Sequence, residues 1–99
     1  MAKNGMRPVH PGEVLREDFL VPGNRSANAL AKALKVPAPR INDIVRERRG
    51  VRADTAMRLA RYFGGDVRSW LNWQAEYDLR VAEIENAKRI EREIVPLAA

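Results

Sequence analysis

Two helical runs separated by a double-proline turn constrain this chain more than any other feature. Residues 26–45 read SANALAKALKVPAPRINDIV. Ser26 is a good N-cap, because its side-chain oxygen can accept from a free backbone N–H of a first turn. Ala27, Leu30, Ala31 and Leu34 recur at helical spacing and mark one buried face. Lys35 ends that run, and Val36 is the apolar plug of the turn. Pro37 and Pro39 suit a helix start, where a missing N–H costs little, and suit nothing in a helix interior. A second helix therefore begins near Ala38. Ile41, Ile44 and Val45 give it an inward face, and Arg40, Asn42, Asp43 and Arg46 are left outside. Two short helices at a steep angle across a turn of a few residues form the helix-turn-helix arrangement. Its second helix is the one that can lie in the DNA major groove.

Charge falls on the same unit. The chain of 99 residues carries a net charge of +5. Residues 23–61 hold ten basic and three acidic side chains, whereas residues 62–99 hold five basic and seven acidic. Positive charge gathered around a helix-turn-helix pattern is the electrostatic footprint of a phosphate-binding surface. Taken alone it fits a solvated basic face equally well; its coincidence with the motif favours nucleic acid.

Other chemistries find little support. With no cysteine there is no disulfide framework, thiolate zinc site or cysteine nucleophile. His10 is the sole histidine; beside a helix start it reads as a cap or packing residue, with no second histidine to complete a metal pair. No glycine-rich phosphate loop is present, and the carboxylates sit on charge-alternating helical faces, where they serve solubility and ion pairing. An enzyme is not expected, nor a cofactor or metal. No apolar run approaches a membrane span, and MAKNGMRPVHPGE has no apolar core of a signal peptide. The expected compartment is the cytoplasm.

The rest of the chain supplies a frame for the motif, and we expect one domain over residues 1–99. Residues 1–9 lack periodicity and read as a loose arm. A first helix is expected over 11–21, entered at His10-Pro11-Gly12-Glu13 and striped by Val14, Leu15, Phe19 and Leu20, with Pro22-Gly23 as its stop. Arg46-Glu47-Arg48-Arg49-Gly50 is a basic loop after the second motif helix, with Gly50 permitting the turn. A helix over 53–63 carries Leu59, Ala60 and Phe63 inward and Arg58 and Arg61 outward, and Gly64-Gly65 stops it. Asp66 caps a helical extension over 66–95 that concentrates Trp70, Trp73 and Tyr77. Val81, Ile84, Ala87, Ile90 or Glu91, and Ile94 continue the pattern, which leaves open one long helix or two broken near Asp78. A stripe of that length must fold back on the domain or meet a partner, a second copy being the simplest.

Three segments together carry a family likeness: HPGEVLREDFLVP, LAKALKVPAPRINDIVRERRGVRADTAMRLARYFGG and SWLNWQAEYDLRVAE. Over about residues 6–84 the chain resembles the HigA-type antitoxins of bacterial toxin–antitoxin modules, within the lambda-repressor-like (XRE) helix-turn-helix group. The motif points to the broad group; HPGE and WLNWQAEYDL narrow it. The resemblance implies an all-α fold of about five helices with an extended C-terminal helix. It implies a homodimer bound to an inverted repeat of double-stranded DNA in its own promoter, and a HigB-type toxin, a ribosome-dependent mRNA endonuclease, as the protein partner. Two departures stand out. Pro37, Ala38 and Pro39 occupy positions where the group usually has small polar or amide residues, and Ser69 replaces an aromatic before WLN.

The expected DNA-binding residues are Ala38, Pro39, Arg40, Asn42, Asp43, Arg46, Arg48 and Arg49. Arg40 is the foremost base reader, because a bidentate arginine–guanine pair is the commonest specific contact. Asn42 can pair with adenine. Asp43 can accept from a cytosine amino group or orient Arg40 or Arg46. Ala38 and Pro39 can touch a thymine methyl, and Arg46, Arg48 and Arg49 can hold phosphates, as can the backbone N–H groups after Ser26. Two alternatives remain: a repressor of the same kind without a toxin, and a protein-interaction module whose working surface is the C-terminal stripe.

Overall fold

The computed structural model describes residues 7–98, which form five helices and no strand. A single turn, α1 (Pro11–Val14), runs directly into a π-helical segment, Leu15–Leu20. There follow α2 (Ala27–Leu34), α3 (Ala38–Val45), α4 (Ala53–Phe63) and α5 (Val67–Glu93). The motif helices thus stand where the proline and apolar spacing put them. The all-α architecture with a long last helix is the expected one.

Side-chain caps open three of these helices. Ser26 Oγ accepts from Ala29 N–H at 3.0 Å, and Asp66 Oδ1 accepts from Arg68 N–H at 3.1 Å. His10 opens α1, its Nδ1 accepting from Gly12 N–H at 2.8 Å. The arm expected over 1–9 lies in part outside the described residues. Its last stretch makes one surface ion pair, in which the Arg7 guanidinium donates to both carboxylate oxygens of Glu13, each at 2.8 Å.

Helix ends depart from the glycine reading. Asn24, Lys35 and Glu47 take left-handed conformations, with φ of 53°, 63° and 63°. Each is followed by a backbone bond that closes the helix end: Arg25 N–H to Leu20 C=O, Val36 N–H to Ala31 C=O and Arg48 N–H to Asp43 C=O, at 2.9, 3.0 and 2.8 Å. This is the Schellman arrangement, which satisfies carbonyls that a helix end leaves open. Gly50 is therefore not the turn residue; Glu47 is. A Cβ on Gly50 would stand 2.9 Å from Cδ of Gln74, the movable end of that side chain. The Gln74 Oε1 accepts from the neighbouring Val51 N–H at 2.8 Å.

The first helix also differs from a plain α-helix over 11–21. Closing turns with i→i+5 bonds, as Val21 N–H does to Arg16 C=O at 2.9 Å, brings residues five apart into line. Leu15 and Leu20 consequently both point inward and are buried. They join Leu30, Ala31, Leu34, Ile41, Ile44, Val51, Ala56, Leu59 and Trp70 in one core. Phe19 packs on Phe63 and Trp70, with ring centroids 4.8 and 5.4 Å apart, which seats the π-helical segment on α4 and α5.

One unbroken helix runs from Val67 to Glu93. At 1.5 Å per residue it is about 40 Å long, and the molecule is drawn out to 53 × 24 × 23 Å. Only its first half packs on the domain. Trp70 is buried, whereas Ile84 is 67 % exposed. The stripe does not fold back.

Two stability measurements check this packing. Ile44→Ala is expected to cost about 2–5 kcal/mol in denaturant unfolding, as a core truncation does. Ile84→Ala is expected to change stability by no more than about 0.5 kcal/mol; a core-sized loss there would mean that the outer half of α5 is covered in solution.

His10 generates a pH prediction. It is buried and packs edge-on against Tyr77 of α5 at 4.8 Å. Burial lowers its pKa, against smaller opposing pulls from Glu47 and Asp78. The unfolded chain therefore takes up this proton first as pH falls. The stabilisation is fully present above the ordinary histidine value of about 6.5 and is lost as pH drops through the lower folded-state value. Replacing His10 with Asn, which can still cap, is expected to flatten the stability profile below about pH 6.5; an unchanged slope would assign it elsewhere.

Candidate nucleic-acid interface

The basic surface is assembled from α2, α3, the loop after α3 and the start of α4. Ile41 and Ile44 of α3 are fully buried, so the opposite face of that helix must look outward. Pro39 is exposed there, with Arg40, Asn42 and Asp43 half-buried around it, whereas Ala38 is half-buried against the core. Arg46, Arg48 and Arg49 are exposed at and beyond the end of the helix. The structure thus gathers all eight expected residues on or directly after one helix.

Their partners differ from residue to residue. Arg46 and Arg48 have no side-chain partner among the described residues. Arg49 pairs with Asp43, NH2 to Oδ2 at 3.5 Å. Asp43 therefore orients Arg49, rather than Arg40 or Arg46. Asn42 spends its amide donor on the protein: Nδ2 donates to Asn28 Oδ1 at 2.7 Å and to the Ala38 carbonyl at 2.9 Å. This ties α3 to α2 and leaves the Asn42 Oδ1 as its available acceptor.

Arg40 is held by α4. Its NH1 donates to Asp54 Oδ2 at 2.7 Å, and Arg58 Nε donates to the same oxygen at 2.9 Å. Arg58 also reaches back to the Leu34 carbonyl at 2.9 Å. It is thus a strut between α4 and the end of α2, not only an outward charge. Hydrogen bonds from Arg58 and then Arg40 hold the Asp54 carboxyl below the usual carboxylate range.

Arg40, Arg49 and Arg52 line one cleft of about 320 Å³ with Gly50 and Thr55. Arg52, which sequence reasoning missed, holds the N-cap position of α4 without capping it by its side chain. Its signal was present: it is a basic residue immediately before a helix start, where backbone N–H groups favour an anion. The same holds at α2. With Ser26 bonded to Ala29 N–H, the N–H groups of Ala27 and Asn28 remain for an external acceptor.

The far end of α3 is fixed by α1 and the π-helical segment that continues it. A Cβ on Gly12 would overlap the Ile44 carbonyl oxygen, and Arg16 NH1 donates to the Val45 carbonyl. Arg16 NH2 also lies 3.6 Å from Glu47 Oε2. Among the described residues, no group of three or more His, Cys, Asp or Glu side chains is placed to hold a metal, and no helix is long and apolar enough to cross a membrane.

Comparison with known proteins agrees with this geometry. The Helix-turn-helix family model matches residues 15–70, from the π-helical segment to Trp70. Virulence-associated protein I of Dichelobacter nodosus is 58 % identical over 96 residues, covering 97 % of this chain and 87 % of the relative. The solved structure of Pseudomonas aeruginosa antitoxin HigA with the higBA promoter superposes with a TM-score of 0.88 at 55 % identity, covering 93 % of this chain and all of that one. Antitoxin GraA in complex with its operator gives 0.88 at 47 % identity, with both chains covered in full. The chain belongs to the XRE-type helix-turn-helix family, in its HigA antitoxin branch.

Proposed function

We propose that this chain is a sequence-specific DNA-binding antitoxin. It represses its own operon by binding an inverted repeat in the promoter, and it neutralises a HigB-type mRNA endonuclease. The observation that carries the DNA half is the coincidence of the net positive segment with the outward face of α3, in a chain 55 % identical to an antitoxin solved with its promoter. The toxin half is supported by membership of the HigA branch. The chain acts by binding, not by catalysis, and works in the cytoplasm, where its operator and mRNA-bound ribosomes are found.

In this reading α3 enters the major groove. Pro39 lies against a thymine methyl, while Ala38, turned to the core, does not reach one; Arg40 and Asp43 stand nearest the base edges. Asn42 contributes its free Oδ1 and keeps α3 at its angle to α2. Arg46, Arg48, Arg49 and the N-terminal N–H groups of α2 hold phosphates, fixing register without reading sequence. One such domain has a small interface, so a defined operator calls for two copies on half-sites about one DNA turn apart. The uncovered outer half of α5 is available to that second copy or to the toxin.

Two experiments test the proposal. The chain is co-expressed with the product of the adjacent small reading frame. Co-purification with rescue of growth is expected; a neighbour that is neither toxic nor bound would leave a repressor without a toxin. Binding to the promoter repeat is titrated against salt. Arg46→Ala and Arg48→Ala are each expected to weaken all DNA sequences alike and to reduce the log–log salt slope by about 0.9. An unchanged slope in both would remove those arginines from the interface.

A further inference from the structure

Asp54 lies outside α3, and neither the charge pattern nor the helix-turn-helix motif gives it a part in recognition. Its side chain is 60 % exposed on the first turn of α4, beside the cleft lined by Arg40, Arg49 and Arg52. A carboxylate on a surface meant for phosphates repels DNA. Its geometry gives it another use. One oxygen, Oδ2, receives Arg40 NH1 at 2.7 Å and Arg58 Nε at 2.9 Å. Arg58 is itself fixed at its other end on the Leu34 carbonyl. The acceptor offered to Arg40 is therefore set by α2 and α4 together, independently of α3.

A guanidinium is a rigid plane with five donors. Fixing NH1 limits the directions in which Nε and NH2 can point, and these two carry no partner among the described residues. Bidentate recognition of a base needs two donors held in one plane and aimed. An arginine free to swing reaches phosphates as readily as bases, and so gains affinity without discrimination. Because the pair is exposed, it adds little to folding stability. Its leverage is on the orientation of Arg40.

We infer that Asp54 is a positioning residue for DNA recognition: a carboxylate on α4 that touches no base aims Arg40 and lowers binding to non-cognate DNA. This rests on the reading in which α3 lies in the major groove.

The test is a thermodynamic cycle. Binding to the promoter repeat and to a scrambled duplex of equal length is measured for wild type, Asp54→Ala, Arg40→Ala, the double variant and Arg58→Ala, with a melting curve for each. Asp54→Ala is expected to bind the scrambled duplex more tightly and to lose roughly tenfold in the ratio of the two affinities. Arg40→Ala is expected to lose a similar factor, and the double variant no more than Arg40→Ala alone. Asp54→Asn keeps an acceptor oxygen and is expected to recover part of the ratio; it carries the comparison if Asp54→Ala melts early. Arg58→Ala frees one side of the Asp54 carboxylate and is expected to lose a smaller part of the ratio than Asp54→Ala. An unchanged ratio in Asp54→Ala, or losses that multiply in the double variant, would each overturn the inference while leaving the DNA-binding reading intact. A wild-type protein that does not prefer the repeat would overturn both.

Discussion

The carboxyl end of α3 is gripped by the turn of helix that precedes it by some thirty residues in the chain. Gly12 sits so close to the Ile44 carbonyl oxygen that no side chain fits between them, and Arg16 donates to the next carbonyl, at Val45. The last carbonyls of a helix have no partner within it and carry its negative dipole end. A guanidinium satisfies one of them and answers that charge. Everything the proposed interface presents depends on this grip. It sets where α3 ends, where Glu47 turns the chain, and hence where Arg46, Arg48 and Arg49 emerge.

At its other end α3 is held differently. Asn42 reaches Asn28 on α2, and Arg40 reaches Asp54 on α4. Ile41 and Ile44 provide the non-directional part of the attachment, since burial of apolar area holds a helix down without choosing its rotation. The polar ties choose it. Side chains expected to read DNA therefore also hold the helix that would present them. A helix of eight residues has no stability of its own, and in so short a segment nearly every residue serves both packing and surface.

The C-terminal helix follows another logic. Its first half is a core element built around Trp70, which packs edge-on against Trp73 and at a tilt against Phe19. Its second half has no domain to lie on. It stays helical as a continuation of a helix already nucleated by packing, since extending a helix is far easier than starting one. Ile84 and Ile90, exposed in the single chain, are then held out on a rigid rod.

Much of this was legible in the residues themselves. Ser26 and Asp66 are where a first turn finds its acceptor, Pro37 and Pro39 where a helix must begin, and Gly64 where one stops; these are local rules with a local cause. The spacing of Leu30, Ala31, Leu34, Ile41 and Ile44 likewise fixed which faces turn inward, and so which residues were left for DNA. What the sequence could not decide lies between elements. The π-register of Leu15–Leu20 exists because Leu15 and Leu20 must both reach the core. Glu47 rather than Gly50 takes the left-handed turn because α3 closes there, with Arg48 N–H on the Asp43 carbonyl. The pairings of Asp43 with Arg49 and of Asp54 with Arg40 depend on the angle at which α3 meets α4. Spacing along a chain prescribes the face on which a charge appears; only the packing of helices decides which opposite charge stands within reach.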